Sequence, residues 1–474
     1  RSVGETRLCP AHQAPTMGES SPSSRPADAP LPPGPDGLPL LGNTLSIAGN
    51  TFDFYDRLAE FGDVVTYRVA GKRFVTLLHP DHVERVLLGE PERFHKWSGQ
   101  EFGVELAPDG LLFAEDEQWR RQRVTIQGAF TLDRIESYTD AMVEYAHRTV
   151  EEWADGETVA VDRDFSRLTL RILAHSLFDL DIGEGEGVVT RTADALNDRA
   201  DSRNLQVFLP QWPPTPLNRR FDRAMDDIEA LVADLIAERR EDPGEYDDLL
   251  AVLLEAEDED GRPLAEEELV DNMVTFLFAG HDTTSLALTY TFLLLSTHPE
   301  VREELDREHA EVLGGTAPTV ADIDRLTYTE QVVRESLRLY PSAYVLFRQA
   351  LQDVEIGGYR IPAGTTVTLP QFRLHADPRF WDDPDAFRPE RWTDEMEAEL
   401  PDYAYFPFGG GPRHCIGMRF AMTELSLLVP TIAQRVAFDL ESDPEPERQA
   451  SVTLRPANPI EMRVRKRPPT GRDG

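Results

Sequence analysis

The sequence predicts one mainly α domain carrying a small β-rich subdomain. Three observations support this: helical periodicity from about Gln118 to Arg240, one long apolar helix from about Leu264 to Thr297, and β-like stretches that are short and few. Residues 1–30 alternate Ser, Pro, Ala and charge, and are expected to be a disordered extension in which Met17 is a candidate natural start. The folded domain is expected over 31–465, with a flexible tail at 466–474.

Leu31-Pro32-Pro33-Gly34-Pro35 reads as a stiff, extended leader, because proline fixes φ and has no backbone donor. A short helix near Phe52 to Phe61 follows. Val64 to Val69 and Phe74 to Leu78 then read as a hairpin turning at Gly71. The helical stretch after Gln118 is interrupted at Gly183 to Gly187 and at Pro210 to Pro216. The long helix ends before Pro299 and is long enough to cross the molecule. A membrane span is the competing reading, since Met273 to Leu295 is largely apolar. His281 and Asp282 sit at its centre, however, and an aspartate there costs about 2.5–3.5 kcal/mol on insertion scales. A further helix covers Leu326 to Tyr340 and stops at Pro341, short β-like segments run to Pro370, and a last helix follows Cys415.

Charge is the compositional anomaly. Asp+Glu number 86 against 48 Lys+Arg, a formal net charge of -38, and Lys72, Lys96 and Lys466 are the only lysines. A surface of carboxylates and arginines resembles those of salt-adapted proteins, where ionic strength screens the self-repulsion. Such a chain is a poor partner for nucleic acid. With only Cys9 and Cys415 there is no case for a structural disulfide. The expected compartment is the reducing cytoplasm, without a membrane anchor.

The chemistry centres on Phe408-Gly409-Gly410-Gly411-Pro412-Arg413-His414-Cys415-Ile416-Gly417. Glycines let backbone approach a flat cofactor closely, and a helix starting just after the cysteine favours thiolate. Taken alone, a lone cysteine reads first as a small buried hydrophobe, and zinc lacks its further ligands. Glu335 and Arg338 alone are an i,i+3 pair worth about 0.2–0.5 kcal/mol. Trp119 and Arg123 alone are a cation–π pair at i,i+4. Ala279-Gly280-His281-Asp282-Thr283-Thr284 places an acid beside a hydroxyl, on a stripe with Phe276 and Ala287.

Together these residues resemble the cytochrome P-450 family. Its haem signature matches at Phe408, Gly411, Arg413, Cys415 and Gly417, with Ala421 and Glu424 fitting the usual continuation. The resemblance runs in order from about Leu31 to Ile460 and implies the cytochrome P-450 fold, with the long helix over haem b. It makes Cys415 the iron's thiolate ligand, and Glu335, Arg338 and Arg391 a buried ionic network in which Trp392 replaces the more usual phenylalanine. Arg413, Trp119, Arg123 and Arg348 become propionate contacts. On the long helix, Ala279 lies against the haem, Gly280 leaves room for dioxygen, Thr283 steadies activated oxygen, and Asp282 feeds protons. Phe102, Val104, Tyr344, Val345 and Leu346 are the implied lining of an apolar substrate pocket.

The implied activity is monooxygenation of a small apolar substrate such as a fatty acid, terpenoid or steroid. The implied electron donor is a separate ferredoxin-like protein with its reductase, because no flavin or nicotinamide segment is seen. Arg120, Arg121, Arg413, His414 and Arg419 are its expected docking island. A peroxide-using haem-thiolate enzyme or isomerase, and a non-catalytic haem-binding protein, are the alternatives; the retained Asp282-Thr283 pair and the lack of a signalling domain speak against them.

Overall fold

The computed structural model describes residues 29–97, 107–179, 185–208, 215–241, 248–258 and 260–467. The expectations for residues 1–28 and 468–474, and for Phe102 and Val104, fall outside that range. Helices dominate, and they pack around the helix Glu266–Thr297. That helix starts two residues later than the sequence suggests, with Glu266, Glu267 and Glu268 in its first turn, where carboxylates complement the helix dipole. It is apolar on nearly all sides because it runs through the core rather than along a surface. Among the described residues no helix is long and apolar enough to cross a membrane, so the competing reading of this segment falls away.

Its closest packing is against the helix Val161–Phe178, and Gly280 permits it. A Cβ on Gly280 would come within 2.9 Å of both Leu173 methyl carbons. Thr169 of that helix also reaches the His281 carbonyl at 3.0 Å. The expected hairpin is present as Val64–Val69 and Lys72–Leu77, joined by Ala70 (φ 48°) and Gly71 (φ 82°). Two successive positive φ values give the turn whose twist suits a two-residue hairpin.

These strands are one side of a five-stranded sheet, in the order Val64–Val69, Lys72–Leu77, Thr366–Pro370, Val345–Ala350, Phe94–Lys96. The pairing of Lys72–Leu77 with Thr366–Pro370 is parallel; the rest are antiparallel. A C-terminal hairpin, Arg448–Ala450 with Leu454–Pro456, lies against the central helix, where the Tyr290 hydroxyl donates to the Leu454 carbonyl at 3.3 Å. The helix Thr327–Leu339 ends at Pro341 as expected, and the helix Met418–Ala433 follows the Cys415 loop.

Candidate active site around Cys415

The Cys415 loop is held by its own backbone. Gly409 (φ 73°) and Gly411 (φ 65°) turn it through left-handed conformations, and the Cys415 amide donates to the Phe408 carbonyl at 2.9 Å. A Cβ on Gly411 would lie 1.8 Å from the Leu87 carbonyl oxygen, so glycine is required where the loop rests on Arg85–Gly89. The sulfur accepts from the amides of Gly417 and Met418, at the start of the following helix. Burial nevertheless dominates and pushes the thiol above its ordinary pKa; these amides, Arg123 and Lys96 only offset part of it. The expected thiolate-favouring helix terminus is therefore present but outweighed in the protein alone. The exposed side of Cys415 faces a cavity of about 310 Å³.

Across this cavity stands the central helix, which contributes Phe276, Ala279, Gly280, Thr283, Thr284 and Ala287. The Thr283 hydroxyl donates back to the Ala279 carbonyl at 2.5 Å. Asp282 does not border the cavity. Its buried carboxylate accepts from the Thr453 hydroxyl at 2.7 Å and pairs with Arg455, both on the C-terminal hairpin. Neither partner was singled out from sequence, because nothing local to residues 453–455 marks them as neighbours of residue 282.

One edge of the cavity is crowded with positive charge. Arg348 and Arg413 line it, together with Lys96, which the sequence reading missed. Burial and then the two neighbouring guanidiniums pull the Lys96 pKa down to about 7, and burial with Arg413 pulls Arg348 down to about 10. Glu115 pairs with Arg413 and accepts from the Lys96 amide, with burial holding its own pKa up. Arg348, Arg413 and the partly protonated Lys96 face the Glu115 carboxylate, with Asp116 acting second to it on Arg413, and this cluster suits a dianionic group beside the thiol. Trp119 lies under the Arg413 guanidinium at 4.7 Å, while Arg123 bonds the His414 carbonyl and ring at 3.1 Å and does not border the cavity.

Glu335 and Arg338 are fully buried. Arg338 donates to Glu335 at 3.0 and 2.7 Å and to the carbonyls of His375, Pro384 and Ala386. Arg391 adds a bond to Glu335 at 3.0 Å, so the three residues named from sequence meet. The Trp392 indole N–H also donates to Glu335 at 3.0 Å, which makes the substituted ring a member of the network.

The pocket-side expectations divide. Leu346 borders the cavity; Tyr344 and Val345 do not. In the strand Val345–Ala350 alternate residues face opposite sides, so Leu346 and Arg348 share the cavity face and Val345 turns away. Tyr344 is held in an aromatic cluster with Phe52 and Phe372, and its hydroxyl donates to the Ser451 carbonyl at 3.0 Å.

A cavity with a thiol supported by backbone amides on one wall, a threonine-bearing helix opposite and a cation cluster at its edge defines a haem-thiolate protein. Comparison agrees: residues 32–464 match the model of the family described as Cytochrome P450. The chain is 36% identical over 420 residues to cyclooctat-9-en-7-ol 5-monooxygenase of Streptomyces melanosporofaciens, covering 87% of this chain and 91% of that one. It is 30% identical to pentalenene oxygenase of Streptomyces avermitilis, over 92% and 97% of the two chains. The solved structure of retinoic acid-bound cyanobacterial CYP120A1 superposes with a TM-score of 0.84 at 27% identity, covering 93% of this chain and all of that one. The chain therefore belongs to the cytochrome P450 family. It is a haem-dependent monooxygenase that uses dioxygen, and the cation cluster beside Cys415 fits the two propionates of haem.

Proposed function

We propose that the enzyme oxygenates a cyclic terpenoid, with Cys415 as the thiolate that would hold the haem iron. The carrying observation is the distribution of polar groups in the cavity. Among its described lining residues the cations are confined to Lys96, Arg348 and Arg413 at the Cys415 edge; the remaining walls are apolar or bear hydroxyls. Such walls offer no anchor for a fatty-acid carboxylate and suit a guest held by shape and apolar contact. The names of the two Streptomyces relatives support the same class.

Bound haem supplies the iron at which dioxygen is activated by two electrons. The chain's part is to hold and to deliver. Cys415 would hold the iron and lend it electron density, while Arg348, Arg413 and Lys96 would hold the carboxylates, with Trp119 and Arg123 steadying Arg413 and His414. Thr283 turns its hydroxyl from the Ala279 carbonyl into the cavity to direct a proton, and Asp282 passes on protons taken up from solvent, held in place by Arg455, which is a quarter exposed and stays charged.

Electrons come from a ferredoxin docked over the Cys415 loop. Of the five residues in the expected island, Arg121 is paired with Glu268, Arg413 with Glu115, and His414 with Arg123. Arg120 and Arg419 are exposed, with no ion pair among the described residues, and Arg120 shares a surface pocket with exposed Val124 and Pro412. That patch supports docking by an acidic partner. A cytoplasmic, salt-adapted setting belongs to the same reading, supported by the net charge of -38.

Purified protein titrated with a cyclic terpene alcohol, a medium-chain fatty acid and a steroid tests the substrate class. The terpene should cause the ferric spin-state change at the lowest concentration, and product should form only when electron donors are supplied. Tighter binding of the fatty acid overturns the substrate class; turnover with peroxide alone favours the peroxygenase.

A further inference from the structure

We propose that Ser342 is a positioning residue for the Asp282-Thr283 step, acting through a closed hydrogen-bonded circuit around the central helix. Asp282 and Thr283 are consecutive residues, so their side chains leave the helix about 100° apart. Their relative placement is set by the backbone between them, and four bonds fix that backbone from outside. The Thr453 hydroxyl donates to the Asp282 carboxylate at 2.7 Å, and Arg455 pairs with it. Leu454, which lies between those two residues, donates its amide to the Ser342 carbonyl at 2.9 Å. The Ser342 hydroxyl then donates to the Thr283 carbonyl at 2.8 Å and closes the circuit.

All members but Thr283 and Arg455 lie in the interior. Ser342 is 6% exposed, Thr453 5% and Leu454 0%. Ser342 also borders the cavity, one residue after the proline that ends the Glu335–Arg338 helix, so the circuit joins that helix, the C-terminal hairpin and the central helix. A hydroxyl donating into a helix carbonyl from another element competes with the i→i+4 ladder and holds the carbonyl tilted outward. At Thr283 that tilt sets the direction of the side chain on the same residue. Replacing Ser342 by alanine keeps the backbone bond to Leu454 but releases the Thr283 carbonyl, so the acid stays fixed while the alcohol loses its register.

This inference rests on the roles given above to Thr283 and Asp282, and the test separates the two. In the haem-loaded enzyme with electron donors and a spin-shifting terpene, Ser342→Ala should lower the fraction of electrons recovered in product and raise peroxide severalfold. The ferrous carbonyl spectrum should not move, and Ser342→Thr should restore coupling. A second readout needs no turnover. Amide hydrogen exchange across residues 283–287 should quicken about fivefold in Ser342→Ala, the change that one net hydrogen bond is worth. Loss of coupling in Thr283→Ala with unchanged coupling in Ser342→Ala overturns the inference alone. Unchanged coupling in both overturns the role of Thr283 and the inference with it, and unchanged exchange removes the circuit as its basis.

Discussion

Replacing Glu335 by glutamine should destabilise this protein more than any single surface change. Glu335 is at 0% exposure and accepts five bonds: two from Arg338, one from Arg391, one from the Trp392 indole and one from the Arg388 amide. Glutamine keeps the shape but removes the negative charge between two guanidiniums and turns an N–H₂ toward donors. Breaking a buried pair by neutralising one partner costs about 3–5 kcal/mol, because the other charge stays buried without its counter-charge. Arg338 keeps its three backbone carbonyls, which places the expected loss toward the lower end of that range. Trp392→Phe removes one bond to a charged acceptor and keeps a ring under Arg334, which sits 4.2 Å above it, so about 1.5–3 kcal/mol is expected. Urea unfolding of the haem-loaded proteins, followed by the Soret band and by far-UV dichroism, gives both values. Since whole domains are stable by only about 5–15 kcal/mol, the first change should show as a large shift in midpoint. A Glu335→Gln midpoint within error of the parent's would refute the reasoning, as would a greater loss from Trp392→Phe than from Glu335→Gln.

Other outcomes follow from the same geometry. Cys415→His should abolish the red-shifted Soret band of the ferrous carbonyl complex, and survival of that band would remove the sulfur as ligand. Thr283→Ala should continue to consume electrons while releasing more peroxide and less product; unchanged coupling would take Thr283 out of the reaction. Arg120→Glu with Arg419→Glu should slow reduction by ferredoxin at moderate ionic strength, with added salt shrinking the difference. Equal rates would place docking elsewhere. Lys96→Met should speed haem transfer to a scavenging globin several-fold. In the haem-free protein Lys96 is held near 7 against an ordinary 10.5, so between those values the folded state binds fewer protons than the unfolded one. Stability should therefore rise with pH through that window in the parent, and rise less in Lys96→Met.

What the sequence made legible were features with local causes. The hairpin turn showed because Gly71 supplies a positive φ between two β-branched runs, and the helix Thr327–Leu339 showed because Pro341 stops it. Cys415, Glu335 and Arg338 stood out because each sits in a short pattern that resembles a family motif, although each alone reads as ordinary packing or pairing. The contacts that escaped join distant segments. Arg455 and Thr453 reach Asp282 across more than 170 residues, and Trp392 meets Glu335 across 57. Lys96 read as one charge among many until the fold buried it beside Arg348 and Arg413. Tyr344 was misplaced because its strand begins one residue later, at Val345, so the alternation that puts Leu346 into the cavity does not govern it.

The parallel seam of the five-stranded sheet has a consequence during synthesis. The Thr76 hydroxyl reaches the Thr368 carbonyl across 292 residues of chain, within the pairing of Lys72–Leu77 with Thr366–Pro370. At about 5–20 residues per second, a ribosome needs about 15–60 s to make the intervening chain. Throughout that interval the hairpin can form but its Lys72–Leu77 edge, rich in Phe74, Val75 and Leu77, has no partner strand. An open apolar edge is a template for pairing with another nascent chain. Slowed elongation or missing chaperones should therefore lower the yield of folded enzyme through aggregation seeded at this edge, even for variants whose finished fold is as stable as the parent's.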